Sequence, residues 1–231
     1  MKKIVLTALS VLTLFAGEVS VDGFKDLPLS QREGVSIVKA YDHGSIYELE
    51  LQMISNRGAQ YTSAFVTKDK KAIIFGEAFD TQTMQPLNIP LDVVALKKDA
   101  DLVFGSGKKE YFLFTDPECH YCNVFERSWP KIEKDVKLYV YYMPLSHHRE
   151  AKSMTYYIMQ QKTQEDKASV SIRMANGDKS YKSIKIDPIQ KNIFDAKLLK
   201  TSALAQKMGV RGTPSLFDFE GNSVGWPSLV E

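Results

Sequence analysis

The sequence predicts an α+β chain in two parts: a small antiparallel sheet, then a strand–helix–strand unit with a long helical insertion. Three observations predict it. Short strand-like runs recur between turn signals from residue 35 to 75. An apolar strand, a helix and a second apolar strand follow one another from residue 110 to 143. A late apolar strand begins at Gly212-Thr213-Pro214, after a Lys-rich helical stretch.

Met1-Lys2-Lys3 is basic, and Ile4 to Gly17 is uncharged and mostly apolar. That is the form of an export signal, expected over residues 1–17, and it is shorter than the about 20 apolar residues of a membrane span. Val35 to Tyr41, Ser45 to Met53, Gln60 to Thr67 and Lys71 to Phe75 read as strands. The turns between them are Asp42-His43-Gly44, Asn56-Arg57-Gly58 and Lys68-Asp69-Lys70. This module, expected over 24–84, is near the size at which burial alone is marginal. Asp80 to Pro90 is polar with two prolines and reads as a boundary, so a linker with a short helix at Leu91 to Lys98 is expected over 85–107.

The second part is expected over 108–231. Glu110 to Thr115 is an apolar strand, Asp116-Pro117-Glu118 a turn, and a helix opens at Cys119 and is expected to stop at Trp129-Pro130. Val136 to Met143 is the next strand, and the pair should lie parallel. The insertion spans about 146–209. It carries helical patterns near Arg149 to Gln161 and Leu198 to Met208, with no clean period over Gln164 to Asp187. Glu220 to Ser223 is a hairpin turn.

Charge and cysteine usage limit the function. Lys plus Arg number 30 and Asp plus Glu 28, a net charge of +2, which gives no support for a nucleic-acid surface. The 44% hydrophobic and 25% charged fractions exclude a disordered or collagen-like chain. Only two cysteines occur, both in Cys119-His120-Tyr121-Cys122, so neither a disulfide-dense scaffold nor a four-thiolate zinc site can be built.

A cysteine at a helix start has its thiolate stabilised by free N–H groups and the dipole. Cys119 is therefore the expected nucleophile, and Cys122, one turn later, the shielded partner that attacks a mixed disulfide. His120, if protonated, favours the Cys119 thiolate; Asp116 and Glu118 oppose it. Two blander readings compete. Half a zinc site would need ligands from His43, His120, His147 or His148, whose spacing is not that of a finger. A structural disulfide would close too small a ring to restrict much chain entropy. Redox chemistry is the better reading, and no metal is expected. His147-His148 reads as a solvated helix start, and Tyr139 to Tyr142 as a strand with a buried face.

Phe114-Thr115-Asp116-Pro117-Glu118-Cys119-His120-Tyr121-Cys122 and Leu204 to Leu216 (LAQKMGVRGTPSL) resemble the bacterial periplasmic thiol:disulfide interchange proteins of the DsbC and DsbG type. The resemblance implies a cystatin-like N-terminal dimerisation module, a linker helix and a C-terminal thioredoxin fold with a helical insertion. It implies that Thr213 and Pro214 form a cis-proline loop where client backbone docks, and that His120 and Tyr121 tune the redox pair. It implies misfolded or misoxidised exported proteins as clients, a membrane thiol reductase of the DsbD type as partner, a homodimer with an apolar cleft, and no cofactor beyond the Cys119–Cys122 pair. The sequence departs from the family in three places. His-Tyr stands where DsbC-type proteins usually carry Gly-Tyr and DsbG-type ones Pro-Tyr. The insertion lacks a second cysteine pair, and little chain follows Gly225-Trp226-Pro227. The expected activity is disulfide isomerisation or reduction. The alternatives are a dithiol oxidase, a sulfenic-acid reductase of the DsbG type and a holdase chaperone.

Overall fold

The computed structural model describes residues 17–55, 58–81, 87 and 92–230. The chain divides into two compact units between Pro90 and Leu91. Residues 1–16 of the expected export signal, the Asn56-Arg57 turn and most of the Asp80–Pro90 boundary lie outside the described residues.

The first unit is a five-stranded antiparallel meander: β1 (Gly17–Val19), β2 (Val35–Asp42), β3 (Ile46–Ser55), β4 (Gly58–Thr67) and β5 (Ile73–Phe75). The period-2 alternation read in β3 is what builds it. Leu49 and Leu51 point to one face with Ala40, Ala64 and Val66, and Phe24, Leu27 and Leu29 cover that face. Those three residues precede the first predicted strand. Neither they nor β1 was legible from periodicity, because the 20–34 segment folds by turns rather than by a repeat. Gly44, at φ 81°, closes the β2–β3 turn, and the Asp42 side chain accepts its N–H. On the opposite face Glu48 is buried and accepts hydrogen bonds from Ser63 Oγ at 2.7 Å and His43 Nε2 at 2.9 Å. His43, weighed above as a metal ligand, is thus engaged by a carboxylate.

The second unit contains α1 (Val93–Asp99), β6 (Leu102–Phe104), β7 (Lys109–Thr115), α2 (His120–Ile132), β8 (Val136–Tyr142), α3 (Ala151–Met159), α4 (Gln164–Ala175), α5 (Pro188–Lys207), β9 (Ser215–Phe217) and β10 (Ser223–Val224). Its sheet order is β10-β9-β7-β8-β6, with β7 and β8 parallel as predicted and the other pairs antiparallel. Both faces are covered. Leu113, Leu138, Val140 and Tyr142 meet Phe125, Trp129 and Ile132 of α2 and Met154, Ile158 and Met174 of α3 and α4. Phe112, Phe114, Tyr139, Tyr141 and Phe217 meet α1 and the end of α5 through Val93, Leu96, Leu204 and Ala205. The near-continuous apolar runs in β7 and β8 follow from this, since a strand buried on both faces cannot alternate.

Several expectations change. The 85–107 linker contains α1 and β6, which are parts of the second unit rather than a connection to it. A three-residue strand is too short to show a period. Proline does not stop α2: Pro130 lies inside it. Near a helix end the ring removes only the bond to the Glu126 carbonyl, and buried Trp129 and Ile132 hold the last turn in place. The uncertain middle of the insertion is α4, capped by the Thr163 side chain on Asp166 N, followed by a 3-10 turn at Ser180–Ser183. Helix α5 starts ten residues earlier than expected, at an Asp187 cap and Pro188. After β10 comes a 3-10 turn, Trp226–Leu229, and the Trp226 ring covers Phe125 at 5.3 Å.

The approach to β7 is a tight backbone crossing. A Cβ on Gly107 would stand 2.0 Å from the Asp135 carbonyl carbon and 2.2 Å from Val136 N. Gly107→Ala should therefore destabilise the protein by about 3 kcal/mol or more through overpacking against main chain. Urea unfolding followed by circular dichroism checks this; an unchanged midpoint would show that the crossing is loose.

Candidate active site

The site forms where β7 ends. Asp116-Pro117-Glu118 turns the chain, and the Asp116 carbonyl accepts Cys119 N–H at 3.0 Å. Cys119 is the N-cap of α2, in extended conformation at φ −70° and ψ 129°. Its side chain makes no cap bond, so the free N–H groups of the first turn face the sulfur's end of the helix. Cys119 Sγ donates to the Thr213 carbonyl at 3.3 Å, across 94 residues of chain. The Thr213–Pro214 peptide is cis, and β9 starts at the next residue. A proline there forfeits no ladder bond, because the strand has not begun.

The two thiols are free and differ in surroundings. Cys119 is 8% exposed, while Cys122 is fully buried and accepts the Asp116 N–H at 3.4 Å. Burial pushes the Cys122 thiol far above the ordinary cysteine range. The pair is thus graded: Cys119 lies near the surface at the helix start and Cys122 is fully withheld from solvent. The structure brings Cys119, Cys122, Thr213 and Pro214 together. His120 and Tyr121 lie on the exposed side of the helix start, ring against ring at 5.5 Å, with Tyr121 64% exposed.

The acids beside the motif have partners that sequence reasoning missed. Glu118 Oε2 accepts the N–H groups of Glu150 at 2.7 Å and Ala151 at 2.8 Å, so it caps the start of α3. Asp116 is fully buried. Its Oδ1 accepts Glu118 N–H at 2.8 Å, and its Oδ2 accepts Leu145 N–H at 2.7 Å and His148 Nδ1–H at 2.9 Å. His148 is therefore not a solvated helix start. Nothing in the local sequence signals these bonds, because donor and acceptor lie about 30 residues apart.

Glu126 was also missed, although a signal exists. It stands four residues after Cys122, on the same helix face, within the buried set Cys122, Phe125, Glu126 and Trp129. It accepts the Thr115 hydroxyl at 2.8 Å through Oε1, and Oε2 has no partner among the described residues. Burial, and secondarily the Asp116 charge, push its carboxyl up to about 8. It is thus predominantly neutral at pH 7, and only once ionised does its charge add to the burial that holds the Cys122 thiol up. No group of three or more His, Cys, Asp or Glu among the described residues is arranged to hold a metal ion.

Glu126 has a stability signature. Its carboxyl is raised on folding from 4.5 to about 8, so the unfolded chain ionises first. Stability is lost as pH rises from about 4.5 to about 8, on the order of 3 kcal/mol by pH 7. Glu126→Gln keeps the Thr115 bond and removes the ionisation. The variant should gain stability over wild type progressively between pH 5 and pH 8 in urea titrations; a pH-independent difference would show that Glu126 ionises freely in the fold.

A family model of the thioredoxin-like domain matches residues 96–228. Among solved structures, a disulfide interchange protein from Neisseria gonorrhoeae shares 25% identity over 56% of this chain and 86% of that one, with a TM-score of 0.43. Bacillus subtilis BdbD in its oxidised form shares 19% over 57% and 88%, with a TM-score of 0.45. Helicobacter pylori DsbG shares 15% over 86% and 98%, with a TM-score of 0.41. No curated protein sequence matches. The matched domain model spans more than half of the sequence and contains the strand, the dithiol helix and the cis-proline turn: the chain belongs to the thioredoxin-like family.

Proposed function

We propose that this protein is a thiol–disulfide isomerase or reductase of the DsbC/DsbG type, acting on exported proteins through Cys119 and Cys122. The observation that carries the reading is the asymmetry of the pair. Cys119 stands at the N-cap position of a helix and lies against the Thr213 carbonyl, whereas Cys122 is fully buried with its thiol held protonated by burial.

The chemistry follows. The Cys119 thiolate attacks one sulfur of a client disulfide, forms a mixed disulfide and expels a client thiolate. In isomerisation a client thiolate attacks the mixed disulfide and returns Cys119 to its thiolate, with no net oxidation. In reduction Cys122 loses its proton, attacks Cys119 Sγ and expels the second client thiolate. The pair is then oxidised by two electrons and the client reduced by two. Thr213 and Pro214 hold the client backbone beside the sulfur. His120 and Tyr121, exposed beside Cys119, tune the pair and meet the client.

The rest of the reading extends the family resemblance. Residues 1–17 direct export to the periplasm, where a membrane reductase of the DsbD type returns the pair to its dithiol. The N-terminal module of 24–84 forms the homodimer. No cofactor is needed, because the dithiol carries the electrons.

The test is refolding of a scrambled multi-disulfide protein in a glutathione buffer. Wild type should restore native activity and Cys119→Ala should not. Cys122→Ala should accumulate a mixed disulfide visible on non-reducing gels. Equal recovery with wild type and Cys119→Ala would sink the reading. A strongly oxidising potential would redirect it to a dithiol oxidase, and aggregation suppression unchanged in the double alanine variant would assign it holdase activity.

A further inference from the structure

The loop between β8 and α3 reaches back to the dithiol turn through the Leu145 and Glu150 amides and the His148 side chain. His148 Nδ1 lies 2.9 Å from Asp116 Oδ2, and because a carboxylate only accepts, the ring nitrogen is the donor. Asp116 is fully buried, and His148 is its sole cation-capable partner among the described residues. Asp116 in turn holds both cysteines: its N–H bonds Cys122 Sγ, and its carbonyl accepts Cys119 N–H.

We propose that His148 is a positioning residue for the dithiol: it aims the Asp116 carboxylate and, when protonated, cancels its charge, which favours the thiol–thiolate form of the Cys119–Cys122 pair over the disulfide. A buried negative charge beside the pair disfavours a thiolate, and an imidazolium against that charge removes the penalty. The inference rests on the dithiol reading above and names the group that sets its potential.

The His147 ring lies tilted at 59° to that of His148 with ring centres 4.3 Å apart, and the Leu145 carbonyl accepts the His148 backbone N–H at 3.0 Å. Glu118 lies on the same turn as Asp116, but its carboxylate is taken by the Glu150 and Ala151 amides at the start of α3. Asp116 is thus the charge that His148 is placed to answer, and its influence extends inward, since it helps to keep Glu126 protonated.

The experiment uses full-length protein with His148→Asn and His148→Ala. Asn places an amide N–H near the position of Nδ1 and removes only the charge; Ala removes both. Each is equilibrated with reduced and oxidised glutathione at pH 6.0 and pH 8.5, and the disulfide fraction is read by thiol trapping. At pH 6.0 both variants should favour the disulfide about tenfold more than wild type, a potential about 30 mV lower. At pH 8.5 His148→Asn and wild type should agree within about twofold. Equal constants at pH 6.0, or a shift of the same size at both pH values, would overturn the proposal and leave the dithiol reading intact. A wild-type protein that forms no reversible Cys119–Cys122 disulfide would overturn both. Should His148→Ala fail to fold, the Asn comparison decides alone.

Discussion

The buried carboxylate of Asp116 is bonded to Glu118 N, Leu145 N and His148 Nδ1, while its own amide and carbonyl engage Cys122 and Cys119. A carboxylate taken from water without partners would cost several kcal/mol, so the turn can exist only if all these donors converge on it. That requirement ties three pieces of chain together. The end of β7, the start of α2 and the loop before α3 must meet at one point, and Cys119, 8% exposed, sits at its rim.

The scaffold makes the convergence rigid. β7 and β8 are buried on both faces, and α2 lies across the sheet with Phe125, Trp129 and Ile132 fixed in the core. The helix start has no freedom to drift from the strand end. Cys122 and Glu126, one turn apart on the same buried face, enter the apolar interior because the helix stripe that carries them must be buried. Both ionise reluctantly there, one as a withheld thiol and one as a neutral acid. The same packing that stabilises the helix creates the asymmetry between the two sulfurs. The insertion contributes more than bulk: Glu118 closes the exposed amides of α3, so the helix after β8 is anchored to the dithiol turn.

Much of this was legible in the sequence. The alternation in Ser45 to Leu51, the apolar runs in β7 and β8, and the CxxC at a strand-to-helix turn each announce local structure through a period or a turn residue. The Asp187-Pro188 and Thr163 caps of α5 and α4 were equally present but were masked by Lys-rich stretches without a clean stripe. Pro130 misled, because its cost depends on how near the helix end it falls, and that end is set by the burial of Ile132. The short strands β1, β6 and β10 carry too few residues to show a period, and they form because a neighbouring edge offers unpaired backbone groups.

By itself the sequence determined the two-part α+β order and the Cys119-Cys122 dithiol motif at a helix start, because each depends on spacings of a few residues. Tertiary structure alone decided what surrounds the pair: His148 on Asp116, Glu118 on α3, Thr213 on Cys119 and Glu126 in the apolar interior. Hydrogen bonds act over about 3 Å in space with no regard for distance along the chain, so contacts such as the 94-residue span from Cys119 to Thr213 leave no period, cap or turn for the sequence to display.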